Sequence, residues 1–193
     1  LHVLLDAING NGSIVCEHTE VDRIRDGDLL AGPHLVRAPL IVCATGTPPA
    51  DVLDGAPWLR RALVGSTTYQ MAGTAPRGPL PEGIYWERRQ SFFTLRAERS
   101  TDGCRVMCAT VDSTAADARG SVDRFVRLER QLRTRFPLVE ITHQWTGRIV
   151  ETVDKRPCIG EVRPGVFVAT GFGSNFLAYG MLAARMAVEH ARG

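Results

Sequence analysis

The stretch Val166-Phe167-Val168-Ala169-Thr170-Gly171-Phe172-Gly173-Ser174-Asn175-Phe176 constrains this chain more than any other. It opens with an apolar run of strand length that shows no alternation. Two glycines follow, and residues 177–190 then take helical spacing. A run without alternation suits a strand buried on both faces, as in a parallel α/β sheet. Leu40-Ile41-Val42-Cys43-Ala44, bounded by Pro39 and Gly46, predicts a second strand of the same kind.

The regions around these runs differ in character. Leu1–Ile8 reads as an amphipathic helix stopped by Asn9-Gly10-Asn11-Gly12. Ser13–Val21, Leu29–Leu30 and His34–Arg37 read as strands, and Thr47-Pro48-Pro49 with Asp54-Gly55-Ala56-Pro57 as a linker. Beyond Gly65, the extended segments Ser66–Thr74, Ile84–Arg88, Phe92–Ala97 and Arg105–Val111 alternate with turns at Pro76–Gly83 and Ser100–Gly103. That pattern predicts an antiparallel sheet. A helix is expected over Ser121–Phe136, started by Ser121 with Asp123 in its first turn and stopped by Pro137. A strand Glu140–Ile149 and a loop then lead back to Val166. The expected fold class is α/β, or α+β in two domains: residues 1–57 and 148–193 form one part and 58–147 an antiparallel second. A chain that leaves one domain, builds another and returns fits a two-domain enzyme.

Composition narrows the function classes. A net charge of +2 is too mild for a nucleic-acid partner, and Arg127, Arg130, Arg133 and Arg135, interrupted by Glu129, read as a solvated helix face. No run reaches the ~18 apolar residues of a membrane span. No secretory leader is visible, and the opening reads as the middle of a helix, hence as an internal start. The five cysteines include no C-x-x-C pair. Cys104 and Cys108, on one strand, stand about 13 Å apart, too far to bridge. Reduced thiols in a cytoplasmic protein follow, with no metal site.

The turn after Val166–Thr170 carries the chemistry. A buried strand that delivers the chain to glycines and then to a helix start aims backbone N–H groups and the positive helix end at an electron-rich group. Gly171 and Gly173 would let a flat ligand approach the backbone. An ordinary strand–turn–helix joint has the same pattern.

Context separates the two. Trp145-Thr146-Gly147-Arg148-Ile149, Thr152-Val153-Asp154 and Pro157-Cys158-Ile159-Gly160, followed by Ala169-Thr170-Gly171-Phe172, resemble the C-terminal signature of the D-amino-acid-oxidase-like family of FAD-dependent oxidoreductases. Gly12, Ile14, Glu17, Thr19, Val21 and Ile24, then Ile41-Val42 with Ala44-Thr45-Gly46, agree with the same family. The resemblance runs over the whole chain, in pattern only between Gly65 and Pro137. It implies FAD as cofactor, residues 1–57 and 148–193 as parts of the FAD-binding domain, and 58–147 as the substrate domain. It puts Val21 near the adenine, Ala44, Thr45 and Gly46 at a strand end near the cofactor, and Gly171, Phe172, Gly173, Ser174, Asn175 and Phe176 around the flavin pyrimidine ring.

Three departures from the family pattern stand out. The G-x-G-x-x-G loop is absent, which implies a fragment or half of a split enzyme whose partner is the missing N-terminal FAD-binding segment. Phe176 is bulky where relatives carry glycine. Ile149 stands where amino-acid oxidases place a carboxylate-clamping arginine, with Arg148 one step earlier and therefore on the other face unless the strand bulges.

Candidate substrate-binding residues are Arg148, His143 and Tyr69. His143 is expected to share a face with Ile141 and Trp145; Tyr69 and Trp86 are weighed as pocket lining against core. Arg148 and His143 equally fit structural roles, and Asp154 fits a loop cap. No catalytic acid–base residue is assigned. The resemblance implies oxidation of the C–N bond of a small amine or amino acid by hydride transfer to flavin, commonly with oxygen as acceptor. A cofactor-less binding or assembly subunit, or a flavoenzyme with a non-amine substrate, are the alternatives.

Overall fold

The protein is described from a computed structural model covering residues 2–25, 27–76, 80–88, 92–112 and 118–193. The chain divides into two compact units. The first contains residues 1–61, 157–170 and 177–193, and the second residues 62–156 and 171–176. These boundaries fall later than those read from the sequence. Helical turns cover part of the expected linker, and the strand after Pro137 runs on past residue 147.

In the first unit, α1 (His2–Gly10) is followed by an irregular exposed stretch, and Ser13–Val21 is not a strand. Its alternating residues find no partner strand. Pairing begins only with β1 (Arg23–Arg25), which joins β2 (Asp28–Ala31) and β3 (His34–Arg37) in an antiparallel sheet ordered β1-β2-β3. β4 (Ile41–Gly46) leads into two short helices, α2 (Ala50–Gly55) and α3 (Pro57–Ala62), where a linker was expected. Val52 and Leu59, on these helices, are fully buried and explain why the segment folds.

The mixed sheet of this unit has the order β10-β11-β4, with β10 (Cys158–Arg163) in the segment read as a loop. β11 (Val166–Thr170) is buried at all five residues because it is the central strand. β4 pairs parallel to it along one edge, so its burial alternates: Ile41 and Cys43 face in, while Val42 is 44% exposed. The expectation that both apolar runs are buried on both faces therefore holds for β11 alone. Arg163 ties the unit together, donating from its guanidinium to the backbone oxygens of Ile24 and Asp51, while Asp51 Oδ2 accepts the Ile24 N–H at 2.5 Å. α5 (Phe176–Ala191) closes the chain.

The second unit is a five-stranded antiparallel sheet ordered β6-β7-β8-β5-β9. Its strands are β5 (Leu63–Ala75), β6 (Gly83–Arg88), β7 (Phe92–Ser100), β8 (Gly103–Asp112) and β9 (Glu140–Thr152). α4 (Ala118–Arg135) packs on one face. It starts three residues before Ser121, so Ser121 does not open it.

Strand period 2 sorts the residues of β5. Tyr69, Met71 and Ala75 point toward α4 and meet Leu128, Leu132, Phe136 and Val139 in the unit's core. Truncating a side chain as buried as Leu132 costs roughly 2–5 kcal/mol. Two of the arginines read as a solvated face have structural work. Arg133 donates to Val139 O at 2.9 Å, and Arg135 pairs with Glu87 and lies 4.8 Å over the Phe93 ring.

Candidate functional site

At the end of the first unit's mixed sheet, the Ala44-Thr45-Gly46 strand end carries an irregularity. Val168 pairs with Cys43 but Thr170 with Gly46, which leaves one extra residue on β4. Gly46 absorbs it at φ 76, a left-handed value that favours glycine. Thr170, buried, fastens the two strand ends by donating its hydroxyl to Gly46 O. Ala44, Thr45 and Gly46 are all exposed, and a Cβ on Gly46 would meet nothing within 4 Å. The strand end is thus an open backbone ledge. Val21 is exposed and precedes β1, whose sheet is pinned by Asp22 through its N–H to Leu30 O and its carboxylate to the Gly32 N–H at 2.7 Å.

In the second unit, residues 171–176 lie beside the end of β9. Phe172 bridges to Glu151, and the Gly173 N–H donates to Val150 O at 2.9 Å. The Asn175 N–H turns back to Phe172 O at 3.0 Å. Gly173 has φ 56, and a Cβ there would sit 3.4 Å from Glu151 Oε2. Two sequence expectations change. The Gly173 N–H is spent on β9, and its open side points at Glu151, so left-handed backbone is the reason for this glycine and close ligand approach is not. Ser174, Asn175 and Phe176 remain exposed ahead of the helix, with Phe176 at 60%. The N–H groups of a helix's first turn have no partner within the helix.

The register of β9 fixes which side chains share a face. From Trp145 to Thr152 it pairs regularly with β5: Gln70 opposite Trp145, Thr67 opposite Arg148, Ser66 opposite Ile149 and Val64 opposite Glu151. The only irregularity lies between Ala72–His143 and Gly73–Ile141, which makes Thr142 the extra residue. Ile141 therefore packs on the core on the α4 side, while His143 and Trp145 take the opposite face. The expected common face of the three is broken by that bulge.

Arg148 lies on the α4 side, with its Nη2 within 3.3 Å of where a Gly65 Cβ would be. No bulge carries it to the face of Trp145. Tyr69 is fully buried on the α4 side, edge-on to Phe125 at 5.4 Å, with Arg124 over its ring at 5.7 Å. It is a core residue. Arg148, His143 and Tyr69 do not come together.

The face away from α4 brings other residues into line. Trp86, Thr94, Ala109, Gln70 and Trp145 are in register across all five strands. The next row holds Ile84, Arg96, Met107, Ala72 and His143. Trp86 is 69% and Trp145 36% exposed. His143 borders a groove of about 260 Å³ that Arg96, Glu98, Arg105 and Met107 also line. Sequence reading singled out Trp86 and His143 but missed Gln70 and Glu151, because only the register tells one face of β5 and β9 from the other. At the end of β9, Asp154 Oδ1 accepts the Arg156 N–H at 3.1 Å, which holds the Asp154 carboxyl below its ordinary range and makes it the expected loop cap.

None of the five cysteines is in a disulfide. Burial raises the thiol pKa of Cys43, and raises that of Cys108 to about 12. Among the described residues, no helix is long and apolar enough to cross a membrane.

Residues 1–190 match the family model described as FAD dependent oxidoreductase. The chain belongs to this family, the D-amino-acid-oxidase-like FAD-dependent oxidoreductases. Its cofactor class is therefore FAD, and the open Ala44–Gly46 ledge and the exposed Ser174–Asn175 turn fit such a group. No curated protein matches the chain. Among solved structures it is similar to glycine oxidase from Geobacillus kaustophilus (22% identity, TM-score 0.73, covering 97% of this chain and 53% of that one). It is also similar to glycine oxidase from Bacillus cereus ATCC 14579 (19%, 0.71, 96% and 53%). A third is the glycerol-3-phosphate dehydrogenase from Bacillus halodurans complexed with FAD (16%, 0.62, 96% and 40%). The chain spans about half the length of the glycine oxidases it matches. At these identities the likeness shows the fold.

Proposed function

We propose that the protein oxidises the C–N bond of a small amine or amino acid, with the exposed Ala44–Gly46 strand end among the residues that hold FAD. The observation that carries this reading is the open backbone ledge Ala44–Gly46 at the end of β4, in a chain of this family. When bound, FAD supplies a hydride acceptor for a C–H bond beside an amine nitrogen. The protein's share is positioning and electrostatics.

Ala44, Thr45 and Gly46 offer backbone that a flat group can approach without meeting a side chain from Gly46. Phe172 and Gly173 shape the second turn through their pairing with β9, with Gly171 ahead of them, and Ser174 and Phe176 offer backbone N–H groups at the helix start while the Asn175 N–H closes the turn on Phe172 O. Val21 is assigned to the adenine end by family resemblance.

For the substrate we propose the sheet face of Gln70, Trp145, Ile149 and His143. Ile149 and Trp145 offer apolar contact and Gln70 a hydrogen-bonding amide. Arg148 and Tyr69, on the other face, are withdrawn as direct contacts. No general base is needed when the amine arrives neutral.

We include in the proposal an N-terminal segment that completes the cofactor site. Val3, Leu4 and Ile8 on α1, and Leu177 and Met181 on α5, are large apolar side chains left exposed and would suit a covering segment. Five cysteines outside any disulfide fit a reducing, cytoplasmic setting.

A non-amine substrate is the second reading, favoured by the similarity to a glycerol-3-phosphate dehydrogenase. Anaerobic mixing of the FAD-loaded protein with panels of amines, amino acids and polyol phosphates separates them. Bleaching of the oxidised-flavin absorbance by amines supports the proposal, and bleaching by polyol phosphates alone overturns it.

A further inference from the structure

The chain contains 22 arginines and one lysine, Lys155. Arginine makes ordinary surface pairs such as Arg37–Asp28, Arg60–Asp54 and Arg133–Glu129. Lys155 differs from these in its backbone as well as its chemistry. At φ 64 it is one of two non-glycine residues with left-handed backbone among the described residues, the other being His18. Its N–H donates to Thr152 O at 3.0 Å, closing the turn after β9.

That turn aims the side chain back along the strand. The Lys155 ammonium donates to Glu151 Oε1. Glu151, opposite Val64, lies on the same face as Ile149 and Trp145, and its other oxygen faces Gly173. The positive charge is therefore held at the end of the row Trp145–Ile149–Glu151, beside residues 171–176. Among the described side chains, the arginines on this face, Arg96 and Arg105, both engage Glu98 on β7. Arg148 is on the opposite face. An ammonium has three donors on a flexible stem, so it can keep Glu151 while taking a second acceptor.

We propose that Lys155 is a carboxylate-binding residue: its ammonium, kept in place by Glu151, receives the carboxylate of a small organic acid whose apolar part lies along Ile149 and Trp145. This deepens the proposed function and rests on its assignment of the substrate to this face. It predicts amino acids with an apolar side chain as the preferred class within that reading.

A single lysine makes the test direct. This chain labelled with [13Cε]lysine gives one lysine side-chain resonance, followed while 3-phenylpropionate, its neutral amide or sodium chloride is added. The proposal predicts a saturable shift with the acid and none with the amide or with chloride at the same concentration. No shift with the acid, or equal shifts with acid and amide, or with acid and chloride, overturns it. Calorimetry on Lys155→Met, an exposed position, is expected to show affinity for the acid weakened roughly tenfold or more, as loss of a charge-assisted hydrogen bond requires. Unchanged affinity overturns the assignment. Neither readout needs FAD or turnover. Loss of acid binding with FAD binding intact removes Lys155 alone, and the converse removes the cofactor reading alone.

Discussion

Replacing Gly173 with alanine isolates what the turn beside β9 requires. The residue sits at φ 56, where an L side chain costs roughly 1–2 kcal/mol. Space adds little, because the new Cβ would lie 3.4 Å from Glu151 Oε2 and 3.6 Å from Glu151 Cβ, which is ordinary contact. The hydrogen bond from the Gly173 N–H to Val150 O survives the change. Gly173→Ala should therefore lower stability by about 1–2 kcal/mol, or roughly 2–8 °C in Tm for a chain of this size. Gly173→Asn carries a larger side chain but tolerates left-handed backbone, and should recover at least half of that loss. Differential scanning calorimetry reads the stability change, and FAD titration should follow it in the same order. If asparagine melts no higher than alanine, or holds FAD less well, the turn glycine is there for space and the conformational argument is wrong.

Other outcomes follow from the same geometry. Ile149→Arg places a guanidinium on the face of Gln70 and Trp145, opposite Ser66, and is expected to lower KM for carboxylate-bearing substrates by tenfold or more with little change in kcat. Arg148→Ala, on the α4 side, should change kcat/KM less than about twofold in steady-state assays. Burial raises the Cys108 thiol from its ordinary 9.0 to about 12, so between those values the unfolded chain ionises this group while the folded one keeps its proton. Stability should then fall as pH rises through that window, and Cys108→Ala should flatten the slope in denaturant titrations. This chain expressed without any further segment is expected to retain FAD weakly; purification with stoichiometric, tightly held FAD would contradict the proposed N-terminal contribution.

The sequence made some parts of this fold legible and hid others for physical reasons. β11 and α5 could be read because apolar continuity and helical spacing reach over many residues and end at glycines. The strands of the second unit could be read because extended segments there alternate with glycine- and proline-containing turns. β10 was hidden because Cys158-Ile159-Gly160-Glu161 is short and lacks a repeating pattern; its partner β11 makes it a strand. α2 and α3 were hidden by Pro49, Gly55 and Pro57, which read as breaks although Val52 and Leu59 bury fully between them.

Alternation alone misled at Ser13–Val21, where nothing pairs. It misled again at Ile141-Thr142-His143, where one extra residue reverses the face. That single bulge separates His143 from Ile141 while leaving Arg148 and Ile149 in the faces that simple alternation assigns. The nature of the candidate turn could be read from its glycines, but the reason for Gly173 needed its contact with Glu151.

The central claim is that the exposed strand end at residues 44–46 takes part in FAD binding, with residues 174–176 assigned to the cofactor by family resemblance. Hydrogen–deuterium exchange of the full-length protein, measured with and without FAD, tests this most directly. The account predicts that FAD slows exchange at the amides of Ala44–Gly46 and of Ser174 and Phe176, while the buried strand Val166–Thr170 stays protected in both states. FAD-induced protection confined to other segments, with both turns exchanging at the same rate in the two states, would contradict it.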